Sequence, residues 1–255
     1  MLAVASLDLV QKDQDMLDKA TDYGRSFAAD ARQDPRLRAY MAAVYLRMAG
    51  GIAASAATSW LVGHNATLAT ALFTADGLTT LGWIVTFAPL GLALLLSAGI
   101  NRLSAAAAGL TFLGYAVLVG LSLGGLLLAY TGASLATTFV ATAAGFAALA
   151  WAGSVSRRDL SGFGAFLTIG LVGVIVAMLV NLFVRSTGFD MMLSEVGVLL
   201  FAGLTAFDAQ RVKRLYYETA DEGRERSAIL GALSLYLDFL NLFLFLLRFT
   251  GQRRR

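Results

Sequence analysis

Cysteine is absent from the 255 residues and histidine occurs once, at His64. Disulfides and thiolate metal sites are therefore excluded, and redox chemistry says nothing of the compartment. Charge is scarce as well: charged residues make up 15% of the chain, where a soluble domain carries about 25%. The opening MLAVASLDLV lacks a basic stretch and meets Asp8 before an apolar core can form, so no signal peptide is predicted.

What remains is apolar. Hydrophobic residues make up 58% of the chain, mean hydropathy is +0.69, and uncharged runs of about twenty residues recur, each long enough to cross a hydrocarbon core of about 30 Å. The expected class is all-α: a polytopic membrane protein with seven transmembrane helices, at roughly 40–63, 81–101, 104–130, 133–155, 162–184, 194–215 and 228–249. Short connections at Tyr130–Gly132 and Ser156–Asp159 make the helices they join antiparallel neighbours. Glycines in the third run (Gly109, Gly114, Gly120, Gly124, Gly125) and alanines in the fourth are read as close helix packing.

Residues 1–39 form a polar tail in which seven Asp balance six Lys or Arg, and residues 40–255 form the membrane domain. Gln11–Ala29 fits either a mildly amphipathic helix or, preferably, a solvated tail. The basic residues sit at the ends of apolar runs, which indicates topology and not nucleic-acid binding. Arg102, Arg157, Arg158 and the cluster from Arg211 to Arg226 lie on one side; the opposite loops hold only Arg185. The N-terminus is therefore predicted cytoplasmic. Seven crossings then put the C-terminus outside, against the preference of Arg248 and Arg253–Arg255; a re-entrant run is the competing solution.

Polar residues within the spans are few. Asp208 and Asp238 are the acids away from the span edges, and Glu195 stands at the outer mouth of the sixth run. An aspartate at mid-membrane costs roughly 2.5 to 3.5 kcal/mol on insertion scales and seeks an interior partner. Ser234, Asp238 and Asn241 recur at i, i+4 and i+7, one stripe on a helix. Counted inward at 1.5 Å per residue, Asp208 and Asp238 reach depths of about 12 and about 15 Å, so they can meet. Two carboxylates about 4 Å apart at an effective dielectric near 20 would repel by about 4 kcal/mol and so share one proton. The competing reading makes Asp208 a neutraliser of adjacent arginines and Asp238 a packing partner of Asn241. Arg47 is either paired in the bundle or facing water, and His64 is read as an interface residue.

The stretch ALSLYLDFLNLFLFLLRFTG at 232–251, preceded by GVLLFAGLTAFDAQRVKRLYYE at 197–218, resembles the C-terminal signature of the Bax inhibitor (TMBIM) family, in its bacterial branch. Weaker similarity extends over 130–150, 157–183 and 38–51. The resemblance implies a seventh helix standing as a central pillar within the other six. It also implies a pH-sensitive calcium-leak channel, not an enzyme, in which an aspartate pair matching Asp208 and Asp238 shares a proton. An arginine matching Arg102 latches the sixth-helix acid. The chain departs from the family pattern at Phe207, where many members carry tyrosine, and at Asn101–Arg102, where they carry a basic cluster.

The expected ion path runs from Glu195 to the aspartate pair, with Asn181, Asn241 and Ser234 as oxygen donors. Calcium, which favours six to eight oxygens, would pass as a weakly held permeant ion, with no cofactor and no tight metal site. Expected partners are the lipid bilayer, with placement in a bacterial inner membrane implied by the resemblance, and calcium or protons. The alternative function is modulation of a membrane-anchored AAA protease or another stress-response partner through the tail. An intramembrane aspartic protease is disfavoured, because no GxGD-type sequence surrounds TAFDAQ or LYLDFL.

Overall fold

The computed structural model describes residues 34–75 and 77–254. The chain divides into two compact units, Met1–Tyr40 and Met41–Arg255. Of the first, only residues 34–40 are described; the predicted reading of Gln11–Ala29 lies outside them. Helix α1, Pro35–His64, opens inside the segment assigned to the tail. Asp34 Oδ1 accepts from Arg36 N at 2.8 Å, and proline suits the first helical position because its missing N–H is not needed there.

The second unit is almost wholly helical. After α1 come a short α2 (Ala66–Leu72), a two-residue hairpin of β1 (Phe73–Thr74) and β2 (Gly77–Leu78), and α3 (Thr80–Gly99). Helices α4 (Ala105–Ala129), α5 (Gly132–Val155), α6 (Ser161–Val184), α7 (Thr187–Glu218) and α8 (Arg224–Thr250) follow, with single 3-10 turns at Ile100–Arg102 and Asp221–Gly223. Hydroxyl groups set the breaks between apolar runs. Thr79, Ser104, Thr131 and Ser186 cap α3, α4, α5 and α7, accepting from Gly82, Ala107, Ser134 and Phe189 N–H groups. Arg185 ends α6 in the left-handed region (φ 54°) and donates its N–H to Asn181 O.

Six helical stretches, beginning at Thr80, Ala105, Gly132, Ser161, Thr187 and Asp221, are long and apolar enough to cross a bilayer. The expected all-α membrane class therefore holds, with six qualifying spans where seven were expected. Helix α1 has the length, at 30 residues, but Arg47, Gly50, Gly51, Ser55, Thr58 and Ser59 dilute its apolar character. From Arg47 to His64 it nonetheless runs beside the others. Arg47 pairs with Glu225 at the start of α8 at 3.2 Å, while Trp60 and His64 border a cavity with Leu126 and Arg254 at the opposite end. Arg47 is thus paired, and His64 is exposed and stacked on Trp60.

Helix α8 is the most enclosed. Of its most apolar eighteen residues 61% are buried, against 11% in α6. It packs on α7, α5, α4 and α3, and α6 packs on α7. Two glycines permit this closeness. A Cβ at Gly120 would strike the α1 backbone at Ser55, and one at Gly153 would strike α7 at Ala206. A buried polar node joins three helices: Ser55 Oγ lies 2.6 Å from the Tyr236 hydroxyl and donates to Ala116 O at 2.7 Å. The C-terminal segment folds back on the α4–α5 connection, with Thr131 N donating to Gln252 O at 3.0 Å and Arg254 N to Ala129 O at 2.9 Å.

Candidate functional site

Asp208 on α7 and Asp238 on α8 come together. Both are buried, at 7% and 4% exposure, and both border one cavity, close enough for their carboxyl groups to interact. Ser234, one turn before Asp238, donates its hydroxyl to Asp208 Oδ2. Arg211, three residues along α7, places Nη1 3.8 Å from Asp208 Oδ1. Asp238 Oδ2 is buried and accepts from no N–H or O–H donor among the described residues, although buried polar atoms seldom lack a partner.

The pair faces a seam of three adjoining cavities. At one end a cavity of about 230 Å³ is bordered by Ser97, Arg211, Leu230 and Ser234. The middle one, about 680 Å³, lies among α3, α6, α7 and α8 and meets Asp208, Asp238, Asn241, Arg211 and Arg248. Beyond Met178 and Arg248 it adjoins a third, of about 260 Å³, bordered by Asn181 and Asp190. The helical stripe explains this arrangement: Ser234, Leu237, Asp238 and Asn241 border the seam, and of these only Asp238 is buried, while Leu235, Tyr236, Phe239 and Leu240 are packed away from it.

The other residues of the expected path are distributed unevenly. Asn241 borders the middle cavity, its Nδ2 donating to Leu237 O at 2.8 Å. Asn181 borders the end cavity, its Oδ1 already accepting from Ser186 N at 3.1 Å. Glu195 is exposed on α7 and borders none of the three cavities. The acid found at that end is Asp190, in the first turn of α7, paired with Arg248 at 3.1 Å. Arg102 is exposed in the 3-10 turn after α3 and forms no ion pair among the described residues; Arg211 is the cation beside Asp208. Among the described residues no group of three or more His, Asp or Glu is placed to hold a metal ion.

The sequence reading passed over the Asp190–Arg248 pair, although a signal existed: an acid and a base at the predicted same end of consecutive helices. The Ser55–Tyr236 node had none, because its partners are 181 residues apart.

Comparison with known proteins supplies the lineage. The family model described as inhibitor of apoptosis-promoting Bax1 matches residues 37–255. Inner membrane protein YbhL of Escherichia coli K12 is 42% identical over 231 residues, 89% of this chain and 97% of the relative. An uncharacterized protein of Deinococcus radiodurans is 42% identical over 219 residues, covering 86% and 92%. Protein RP147 of Rickettsia prowazekii, also uncharacterized, is 44% identical over 177 residues, covering 69% and 75%. With a match over most of its length and apolar helices to span a bilayer, the chain is an integral membrane protein belonging to the Bax inhibitor family.

Proposed function

We propose that this protein is a pH-sensitive cation leak of a bacterial inner membrane, with calcium as permeant ion and the α3–α6–α7–α8 seam as its path. The observation that carries the reading is the approach of Asp208 and Asp238, with a buried Asp238 oxygen that no donor among the described residues reaches. A proton held between the two carboxyls supplies that donor and removes one of two adjacent negative charges. Gain or loss of the shared proton changes the charge facing the seam. Serine, asparagine and two carboxylates offer fewer oxygens than calcium prefers in a tight site, which favours passage over storage.

Arg211 holds Asp208 in the arrangement described. The latch role expected of Arg102 requires its side chain to swing inward from the end of α3, where Ser97 already borders the inner cavity. Orientation follows from charge: the end bearing Arg102, Arg157 and Arg158 is cytoplasmic, as is the N-terminus, and α1 makes a seventh crossing. The C-terminal tie to the α4–α5 connection, which carries no Lys or Arg, supports an external C-terminus. The protease-modulator reading rests on the tail, whose residues 1–33 lie outside those described.

Purified protein in vesicles loaded with a calcium dye tests the proposal. Wild type should show flux that changes across the neutral pH range, and Asp208→Asn with Asp238→Asn should abolish that change. Equal flux profiles for the two proteins would overturn it. Arg102→Ala should raise flux at the pH where wild type is closed.

A further inference from the structure

On the opposite side of α8 from the seam, two cavities of about 630 and about 670 Å³ adjoin along α1, α5 and α8. Ile52, Ala56, Phe139 and Phe239 border both, so they form one groove. Its axial reach, from Tyr45 to His64 on α1, is 64 − 45 = 19 residues, about 28 Å at about 1.5 Å per residue. That is close to the thickness of a bilayer's hydrocarbon core. The walls are almost entirely apolar, and exposed tryptophans stand toward its two ends, Trp151 at 68% and Trp60 at 54%. Aromatic rings of this kind settle at headgroup level.

Polar groups collect at one end. Arg254 borders the groove there, exposed and in no ion pair among the described residues. Ser59 also borders it; the residue is 7% exposed, yet its hydroxyl has no hydrogen-bond partner among the described residues. Thr58, beside it on α1, bonds instead to Ala54 O at 2.9 Å, and Ser55 to Gly51 O at 3.1 Å. A hydroxyl on so enclosed a residue, open only to the groove it borders and bonded to no acceptor among the described residues, is free to donate to an acceptor lodged there. Ser59 lies 64 − 59 = 5 residues below His64, about 7.5 Å along the helix at about 1.5 Å per residue.

We propose that this groove is a binding site for one anionic phospholipid. An acyl chain lies along Ala56 and Phe139, a glycerol-ester carbonyl accepts from Ser59, and the phosphate meets Arg254. A donor below a cation reproduces the order of ester and phosphate in a lipid. A second protein copy or a foreign helix would supply apolar side chains at Ser59 and leave its hydroxyl unmet. The site is independent of the calcium path and of the orientation of the chain.

The test uses full-length protein with Trp83→Phe and Trp151→Phe, leaving Trp60 as reporter, in vesicles of phosphatidylcholine doped with brominated phosphatidylglycerol or brominated phosphatidylcholine. Quenching should be stronger with the brominated phosphatidylglycerol at equal content. Arg254→Gln should weaken that preference about tenfold, the loss of one charge-assisted contact. Ser59→Ala should weaken quenching by both lipids, and Ala56→Phe, at an exposed position, should abolish the preference by filling the groove. Equal quenching by the two lipids, or a preference untouched by Arg254→Gln and Ala56→Phe, would overturn the proposal. So would a homodimer in detergent that Ala56→Phe dissociates while lipid preference is unchanged.

Discussion

Ser234 offers a way to disturb the buried acids without altering either. Its hydroxyl donates to Asp208 Oδ2, so Ser234→Ala leaves a buried acceptor short of a donor and should destabilise the protein by about 1 to 3 kcal/mol. Thermal unfolding in detergent would read this. Asp238→Asn behaves differently, because an amide brings N–H donors to a place where an acid oxygen has none. Its unfolding temperature at neutral pH should match or exceed that of wild type while its pH-dependent flux is lost. A loss of stability comparable to that of Ser234→Ala would count against a shared proton. Outside the membrane, hydrogen bonds from the Ser161 hydroxyl and N–H, followed by the Arg214 charge, hold the Asp159 carboxyl below its ordinary range. Its ionised form therefore favours folding. That contribution is complete above the ordinary carboxylate pKa of about 4 and fades as pH falls through the lowered folded value. Asp159→Asn should flatten this part of the acid limb of a stability profile, measured by unfolding temperature against pH.

Among the helices, tolerance should follow backbone proximity. Gly153 on α5 sits against the α7 backbone at Ala206, where no flexible side chain can yield. Gly153→Val should cost about 1 to 3 kcal/mol or more through overpacking. Gly145, on the same helix, has nothing within 4 Å of an added Cβ, so Gly145→Ala should be neutral or slightly stabilising. Denaturation of the two variants side by side would check the contrast. The same distinction explains what the sequence disclosed. Helix positions were legible because hydroxyl caps and polar breaks interrupt the apolar runs locally, as Ser104 and Thr131 do. The acids were legible because a charge in a greasy run is conspicuous and the i, i+4, i+7 stripe fixed its face. Contacts made across helices were not: the neighbouring Arg211 beside Asp208 follows from their i, i+3 spacing on one helix, but that Arg102 stands away from Asp208 and that Asp190, not Glu195, meets Arg248 at the seam does not. Such choices depend on helix rotation, which no local pattern encodes when every face is apolar.

For the membrane domain as a unit, the absence of cysteine makes single-thiol labelling clean. If α1 crosses the bilayer, Arg36→Cys and His64→Cys should react with an impermeant maleimide from opposite sides, and Arg158→Cys from the side of Arg36. Labelling of Arg36→Cys and His64→Cys from one side would reduce the crossings to six and return the C-terminus to the side of the tail.

The most enclosed helix, α8, also follows every other helix in chain order. During translation the segments that surround it are delivered to the membrane before the rod they are shaped to embrace. Until residues 224–250 arrive, Gly197 has no Phe245 ring against it and Ser55 has no Tyr236 hydroxyl. Biogenesis must therefore proceed through a set of helices that pack on one another, as Gly153 of α5 does on α7, but lack their most enclosed member. A nascent chain halted before α8 should be recognised by quality-control machinery and have a short cellular lifetime, however well its earlier segments insert.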